Sequence, residues 1–254
     1  MAHLFDQKQG HILKRNMTAH NRRIRKMRGR RRIIGLDFDH CCFDTDWFFH
    51  GEVRELFAQF EVTDELWHET YQTVFPNGYT LERHMTELER RCPFILPTQE
   101  ITPIIRETFT DLSKFLFHDV IPTLQYLRDF FSARIILFSF GNPAWQAYKV
   151  HASGINELLD EKNFTKEQNM KFHLLQELTS GDDEIYMIDN NPRELDAIKR
   201  MMPQVQTFCI NRVPENLDTG EAPWKFHDAK RYLNIEPQFK HKPIKTFFEL
   251  PLLQ

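Results

Sequence analysis

The sequence has no Cys-x-x-Cys pair; its four cysteines stand at positions 41, 42, 92 and 209. This argues against a zinc ribbon or a thioredoxin-type redox motif. Adjacent cysteines rarely bridge each other, so Cys41 and Cys42 read as reduced thiols in a cytosolic setting. None of the twelve histidines shows HxxxH or HExxH spacing, which leaves no support for a zinc hydrolase. Glycine is scarce, at 9 in 254 residues, so low-complexity and fibrous readings fail. No apolar run approaches the roughly 18 residues that a membrane span needs. The polar, basic N-terminus has no apolar core of the kind a conventional signal peptide requires. Internal repeats are lacking as well.

What is present is a chain able to bury a sizeable core, 41% hydrophobic with 23 Phe. Its charge is uneven. Residues 1–32 hold eleven Lys or Arg against Asp6 alone, while the net charge is −3, so the body is acidic and the arm basic. RRIRKMRGRRR, Arg22 to Arg32, is too charged for a core helix. It reads as a solvated tail, or as an electrostatic anchor for nucleic acid or an anionic membrane, or as a targeting arm.

Residues 33–38 read as a buried strand. Some seventy residues with helix signals follow: one face of Val53, Leu56, Phe57 and Phe60, a helix start at Thr63, a charged helix over 80–91 and a further helix over 101–117. The pattern then becomes regular. A helix over 119–131, with Ile121, Leu124, Leu127 and Phe131 inward, precedes a strand over 133–140. A helix from Pro143 to about Val150 and another over 170–178 follow. Strand 184–189, a helix from Pro192 to about Met201 and strand 205–210 complete the series. Alternating strands and helices specify the α/β class: a Rossmann-like parallel sheet with helices on both faces. The segment beyond 212 reads as irregular, with FFELPLL, 247–253, either packing on the body or serving as a docking peptide.

In such sheets, sites form at the carboxyl ends of the strands. Here those ends deliver Asp37 and Asp39, then Ser139 followed by Phe140, Gly141 and Asn142, then Asp189 and Asn190. Two carboxylates two residues apart on a strand point the same way and repel. They need a cation, a proton or a loop that lets them diverge; the plainest alternative is an ordinary turn. Lys171 heads the helix KFHLLQEL, and Lys166 competes with it for the same role. Carboxylates, a hydroxyl and an ammonium group together make a phosphoryl-transfer site around a hard cation such as Mg²⁺.

The order of these segments resembles the haloacid dehalogenase (HAD) superfamily over about residues 33–212. LDFDHCCFDT resembles its first motif through Asp37, Asp39 and Asp44, and IILFSFGN resembles the second through Ser139. Lys171 falls where the third motif's lysine does, and IYMIDNNPRELDAI resembles the fourth through Asp189, Asn190 and Glu194. The resemblance implies a core of 33–45 and 119–212 with a small helical cap, 46–118, inserted after the first strand. It implies that Asp37 is the nucleophile, Asp39 the general acid and base, and that Ser139, Phe140 and Lys171 hold the phosphoryl group. It also implies that Mg²⁺ is bound by Asp37, Asp39, Asp189 and Asn190.

The chain departs from the pattern in having His40-Cys41 where Gly-Thr is usual and Asn190 where a second acid is usual. An amide oxygen still ligates a hard cation, but without charge. The compact cap and the IDDNP-like fourth motif resemble phosphatases that include secreted effectors of intracellular bacteria. That resemblance offers a host cytosol beside the cytoplasm as a place of action, and protein phosphotyrosine as a substrate. Small phosphometabolites or nucleotides are the family default. The aromatic residues Trp47, Phe48, Phe49, Trp67 and Tyr71 would either receive a ring or form cap core. Two other functions stay open: a catalytically impaired binding protein, and a polynucleotide end phosphatase that uses the basic arm.

Overall fold

The computed structural model describes residues 31–212 and 228–251. Six parallel strands form one sheet in the order β3-β2-β1-β4-β5-β6. They are β1 (Arg32–Leu36), β2 (Arg134–Phe140), β3 (Glu161–Thr165), β4 (Glu184–Asp189), β5 (Gln206–Ile210) and β6 (Lys242–Ile244). Side chains alternate across the sheet, as the period of a strand requires. Ile33, Ile136, Ile185 and Met187 turn to one apolar cluster; Ile34, Ile135, Leu137 and Ile188 turn to the other. Gly35 sits where β1 is most tightly enclosed: a Cβ there would meet Met187 Sδ at 2.6 Å.

A helical insertion follows β1. A π-helical stretch, Trp47–Val53, runs into α1 (Arg54–Ala58), then α2 (Asp64–Val74), α3 (Leu81–Arg91) and α4 (Thr98–Thr108). Thr63 and Thr80 cap α2 and α3 through their side chains. The chain returns to the sheet along α5 (Val120–Phe131), and α6 (Pro143–Ala152), α7 (Lys171–Leu178) and α8 (Pro192–Met201) alternate with the later strands. No described helix is long and apolar enough to cross a membrane.

Three sequence expectations need correction, and one strand was missed. The helix expected over 101–117 starts at Thr98 and ends at Thr108; residues beyond it form only a short turn, Ser113–Phe115, whose first amide bonds to the Asp111 side chain. β3 gave no apolar signal, because this edge strand reads EKNFT and only Thr165 in it is buried. The segment beyond 212 is not wholly irregular: Lys242–Ile244 adds the sixth strand, and Phe247 is buried in the core. Finally, Arg31 and Arg32 are not free tail. Arg31 forms a forked pair with Asp183 (2.9 and 2.8 Å), and Arg32 opens β1 and pairs with Glu184 (3.1 Å). The rest of the basic arm lies outside the described residues.

Candidate active site

β1 ends at Leu36, and the Asp37 amide still donates to Ile188 of β4 (2.9 Å). The backbone then turns sharply. The amides of Cys41, Cys42 and Phe43 all converge on the Phe38 carbonyl (3.3, 2.9 and 3.0 Å), and His40 takes φ 58°, the left-handed region. Cys41 and Cys42 are fully buried beneath this turn, where the Cys42 thiol donates to the Asp37 carbonyl. The turn separates the two carboxylates, and each acquires its own ammonium group.

Asp37 Oδ1 accepts from Lys171 Nζ at 2.5 Å, and the same ammonium donates to Asp189 Oδ2 at 2.7 Å. Lys171, the first residue of α7, is 2% exposed, so this triad is shielded from water. Burial pushes the Asp37 carboxyl up to about 8, with Asp189 and Asp39 adding to the rise and Lys171 opposing it. Burial alone would lower Lys171, but Asp189 and Asp37 outweigh it and raise the ammonium. Lys166, the competing lysine, is exposed and does not line the cavity.

Asp39 accepts from Thr45 Oγ1 (2.7 Å), from Gln146 Nε2 (2.8 Å) and from Lys149 Nζ. Burial disfavours its ionisation, yet Lys149, Thr45 and His40 together hold it below the ordinary carboxylate range. Gln146 and Lys149 lie three apart on α6, whose start is fixed by the Asn142 side chain accepting from the Ala144 and Trp145 amides (3.1 and 3.2 Å). Gln146 also donates to the Phe140 carbonyl (2.8 Å), tying the end of β2 to Asp39. Sequence reasoning missed Thr45, Gln146 and Lys149. The signal for Gln146 and Lys149 was the helical spacing after Asn142-Pro143, which aims positions 146 and 149 at one spot.

Ser139 is fully buried at the end of β2, and its Oγ finds no hydrogen-bond partner among the described residues. A buried hydroxyl without a partner is costly unless a ligand completes it. Asp189 Oδ1 accepts from the Asn191 amide (2.8 Å), and Asn191 caps α8 through the Arg193 amide. Glu194 accepts from the Asn169 amide (2.6 Å) through one oxygen, while the other is buried without a partner. Asp44 instead fixes the start of the insertion, accepting from the Trp47 amide (2.9 Å).

One cavity is lined by Asp37, Asp39, Ser139, Phe140, Lys171, Asp189 and Asn190, so the structure brings the expected site residues together. Of the cap aromatics, Phe49 and Tyr71 line it, while Trp47, Phe48 and Trp67 do not. Phe48 and Trp67 are instead wholly buried in the core. The C-terminal segment supplies further wall that the sequence did not reveal: Asp228, Arg231 and Tyr232.

No family model matches the chain, and no curated protein matches it by sequence. Solved structures do match. A haloacid dehalogenase-like hydrolase from Burkholderia xenovorans superposes with a TM-score of 0.59 at 14% identity, over 85% of this chain and 93% of that one. The L-2-haloacid dehalogenase of Xanthobacter autotrophicus gives 0.58 at 12% identity, over 88% and 98%. The fold is that of the haloacid dehalogenase-like hydrolases. A third structure with this HAD-like fold, the HAD-hydrolase YfnB of Bacillus subtilis bound to magnesium, gives 0.53 at 13% identity over 88% and 99%.

The donor set of this HAD-like cavity suits a hard divalent cation. Asp37, Asp39, Asp189, Glu194 and Asp228 line it, against the cations Lys149, Lys171 and Arg231, so carboxylates are in excess in a sheltered space. Among the described residues, the group of three whose ligating atoms lie within 4.8 Å of one another is Asp46, His50 and Asp228. There Asp46 accepts the Asp228 amide (2.8 Å), and Asp228 also binds Tyr71 and Arg231, so the group serves as a clasp for the C-terminal segment.

Proposed function

We propose that this chain is a phosphomonoester hydrolase working through an aspartyl-phosphate on Asp37. The observation that carries this reading is the excess of carboxylates around Asp37, set beside an unpartnered buried Ser139 hydroxyl and the shared Lys171 ammonium. A dianionic phosphoryl group and a divalent cation complete that arrangement together. A haloacid substrate would leave the carboxylate excess without a purpose, although several structural neighbours are dehalogenases.

Ser139 Oγ and Lys171 Nζ would take the phosphoryl oxygens, with the Phe140 segment closing behind them. A free oxygen of the ionised Asp37 carboxylate, the form that Lys171 favours against burial, attacks phosphorus in line; the phosphorus–oxygen bond to the leaving group breaks as the aspartyl-phosphate forms. Asp39 then accepts a proton from water, which attacks phosphorus, frees phosphate and restores Asp37. Mg²⁺ would be held by Asp37, Asp189 and Asn190 with the Asp39 carbonyl, and it supplies charge neutralisation for the phosphoryl group. Three donors on Asp39 favour its acceptor form, which suits the water step. An aryl leaving group departs as a weak base with little protonation, and the aromatic walls Phe49, Tyr71, Phe75 and Tyr79 suit such a group. Phosphotyrosine belongs to this class.

Hydrolysis of p-nitrophenyl phosphate with Mg²⁺, with EDTA and with Asp37→Asn tests the reading. We expect turnover that needs both Mg²⁺ and Asp37. Turnover indifferent to Asp37→Asn, or none at all, would overturn it and leave a binding role.

A further inference from the structure

The wall facing the catalytic carboxylates comes from a segment some 190 residues further along the chain. A short helical turn, Asp228–Tyr232, is clasped to the insertion. The Asp228 amide donates to Asp46 Oδ1 (2.8 Å), its carboxylate takes the Tyr71 hydroxyl, and His50 Nε2 lies 3.5 Å from Asp228 Oδ2. This clasp fixes Arg231. Its Nη2 donates to Asp228 Oδ1 (2.9 Å), and its guanidinium lies over the Phe75 ring at 4.5 Å. The side chain is 31% exposed and lines the same cavity as Asp37, Asp39 and Ser139.

Lys171 and Lys149, the other cations of the cavity, are each held directly on a catalytic carboxylate. Arg231 is paired instead with Asp228, a carboxylate held in the clasp and already shared with Tyr71. A guanidinium carries five N–H donors in a fixed fork, so the bonds to Asp228 and Tyr232 leave donors over for a ligand. Stacking on Phe75 holds the fork in one plane, which lowers the entropy lost on binding a carboxylate.

We infer that Arg231 is a specificity-determining residue, which selects phosphomonoesters whose aromatic leaving group carries an anionic substituent. This rests on the phosphomonoesterase reading: with the phosphoryl group on Ser139 and Lys171, the leaving group occupies the part of the cavity bounded by Tyr71, Phe75 and Arg231. An anion there meets a preoriented cation, whereas a neutral group leaves the fork facing water.

The test compares 4-carboxyphenyl phosphate with its neutral isostere, 4-carbamoylphenyl phosphate, on the full chain with Mg²⁺. The carbamoyl compound has the slightly better leaving group, so a preference for the carboxylate reports binding. We expect kcat/KM to favour the carboxylate by about tenfold, mainly through KM, as a charge-assisted hydrogen bond would give. Arg231→Gln should bring the ratio towards one, and Arg231→Lys should restore part of it. Equal kcat/KM for the two compounds in the unmodified protein, or a preference that survives Arg231→Gln, would overturn the inference while leaving the phosphatase reading intact. Absence of turnover on both compounds would overturn the phosphatase reading, and the inference with it.

Discussion

At the residue scale, the chain resolves the repulsion between Asp37 and Asp39 by a turn and two lysines. Asp37 faces Lys171, and Asp39 faces Lys149. Lys149 is 2% exposed and also lies against the Phe38 and Phe43 rings (5.5 and 5.7 Å), so it is desolvated before any substrate arrives. Removing one partner of such a pair leaves the other charge poorly solvated. We expect Lys149→Met to destabilise the fold by about 2 kcal/mol, less than for a fully buried pair because Asp39 opens on the cavity. Pairing it with Asp39→Asn should recover part of that loss. Urea denaturation of the two single variants and the double variant measures the coupling. Additive losses would mean that the two groups do not stabilise each other.

At the scale of elements, α2 and α3 meet over His84, which is fully buried. Its Nε2 lies 3.2 Å from the Trp67 carbonyl and 2.8 Å from Thr70 Oγ1, whose own proton goes to the Leu66 carbonyl (2.8 Å). The ring proton therefore sits on Nε2, and Nδ1 accepts from the Tyr79 hydroxyl (3.1 Å). A second proton, on Nδ1, would displace the one that the Tyr79 hydroxyl donates. Burial lowers this imidazole to about 3, against an ordinary value of 6.5. Between those values the unfolded chain binds a proton that the folded chain refuses, so stability falls as pH drops from 6.5 towards 3. The slope from this group alone is up to about 1.4 kcal/mol per pH unit. Thermal unfolding of the unmodified protein and of His84→Gln across that window should show a shallower pH dependence in the variant; identical slopes would remove His84 as the cause.

The elements also show how far the sequence could be read. β1, β2 and β4 announced themselves, because strands buried on both faces must be apolar throughout. The edge strand β3 buries little and β6 is three residues long, so neither leaves an apolar run. Ser139, Lys171 and Asp189 were legible because each sits at a fixed offset from a strand or helix end. Thr45 was not singled out, since nothing in its neighbours demands a cavity. The clasp of Asp228 onto Asp46 and Tyr71 joins residues more than 150 apart, which no local pattern encodes.

At the scale of the whole molecule, the sheet, the insertion and the C-terminal segment converge on one cavity, and we assign two of its carboxylates, Asp37 and Asp39, to successive half-reactions. In the proposed reaction Asp37 would carry the phosphoryl group and Asp39 would activate the water that removes it. The most direct measurement is an acid quench of the Asp39→Asn protein mixed with p-nitrophenyl phosphate and Mg²⁺, followed by peptide mass analysis. The account expects a burst of about one nitrophenol per protein, with a phosphoryl group retained on the peptide containing Asp37. Steady release of nitrophenol by Asp39→Asn with no phosphoryl group on that peptide would contradict it.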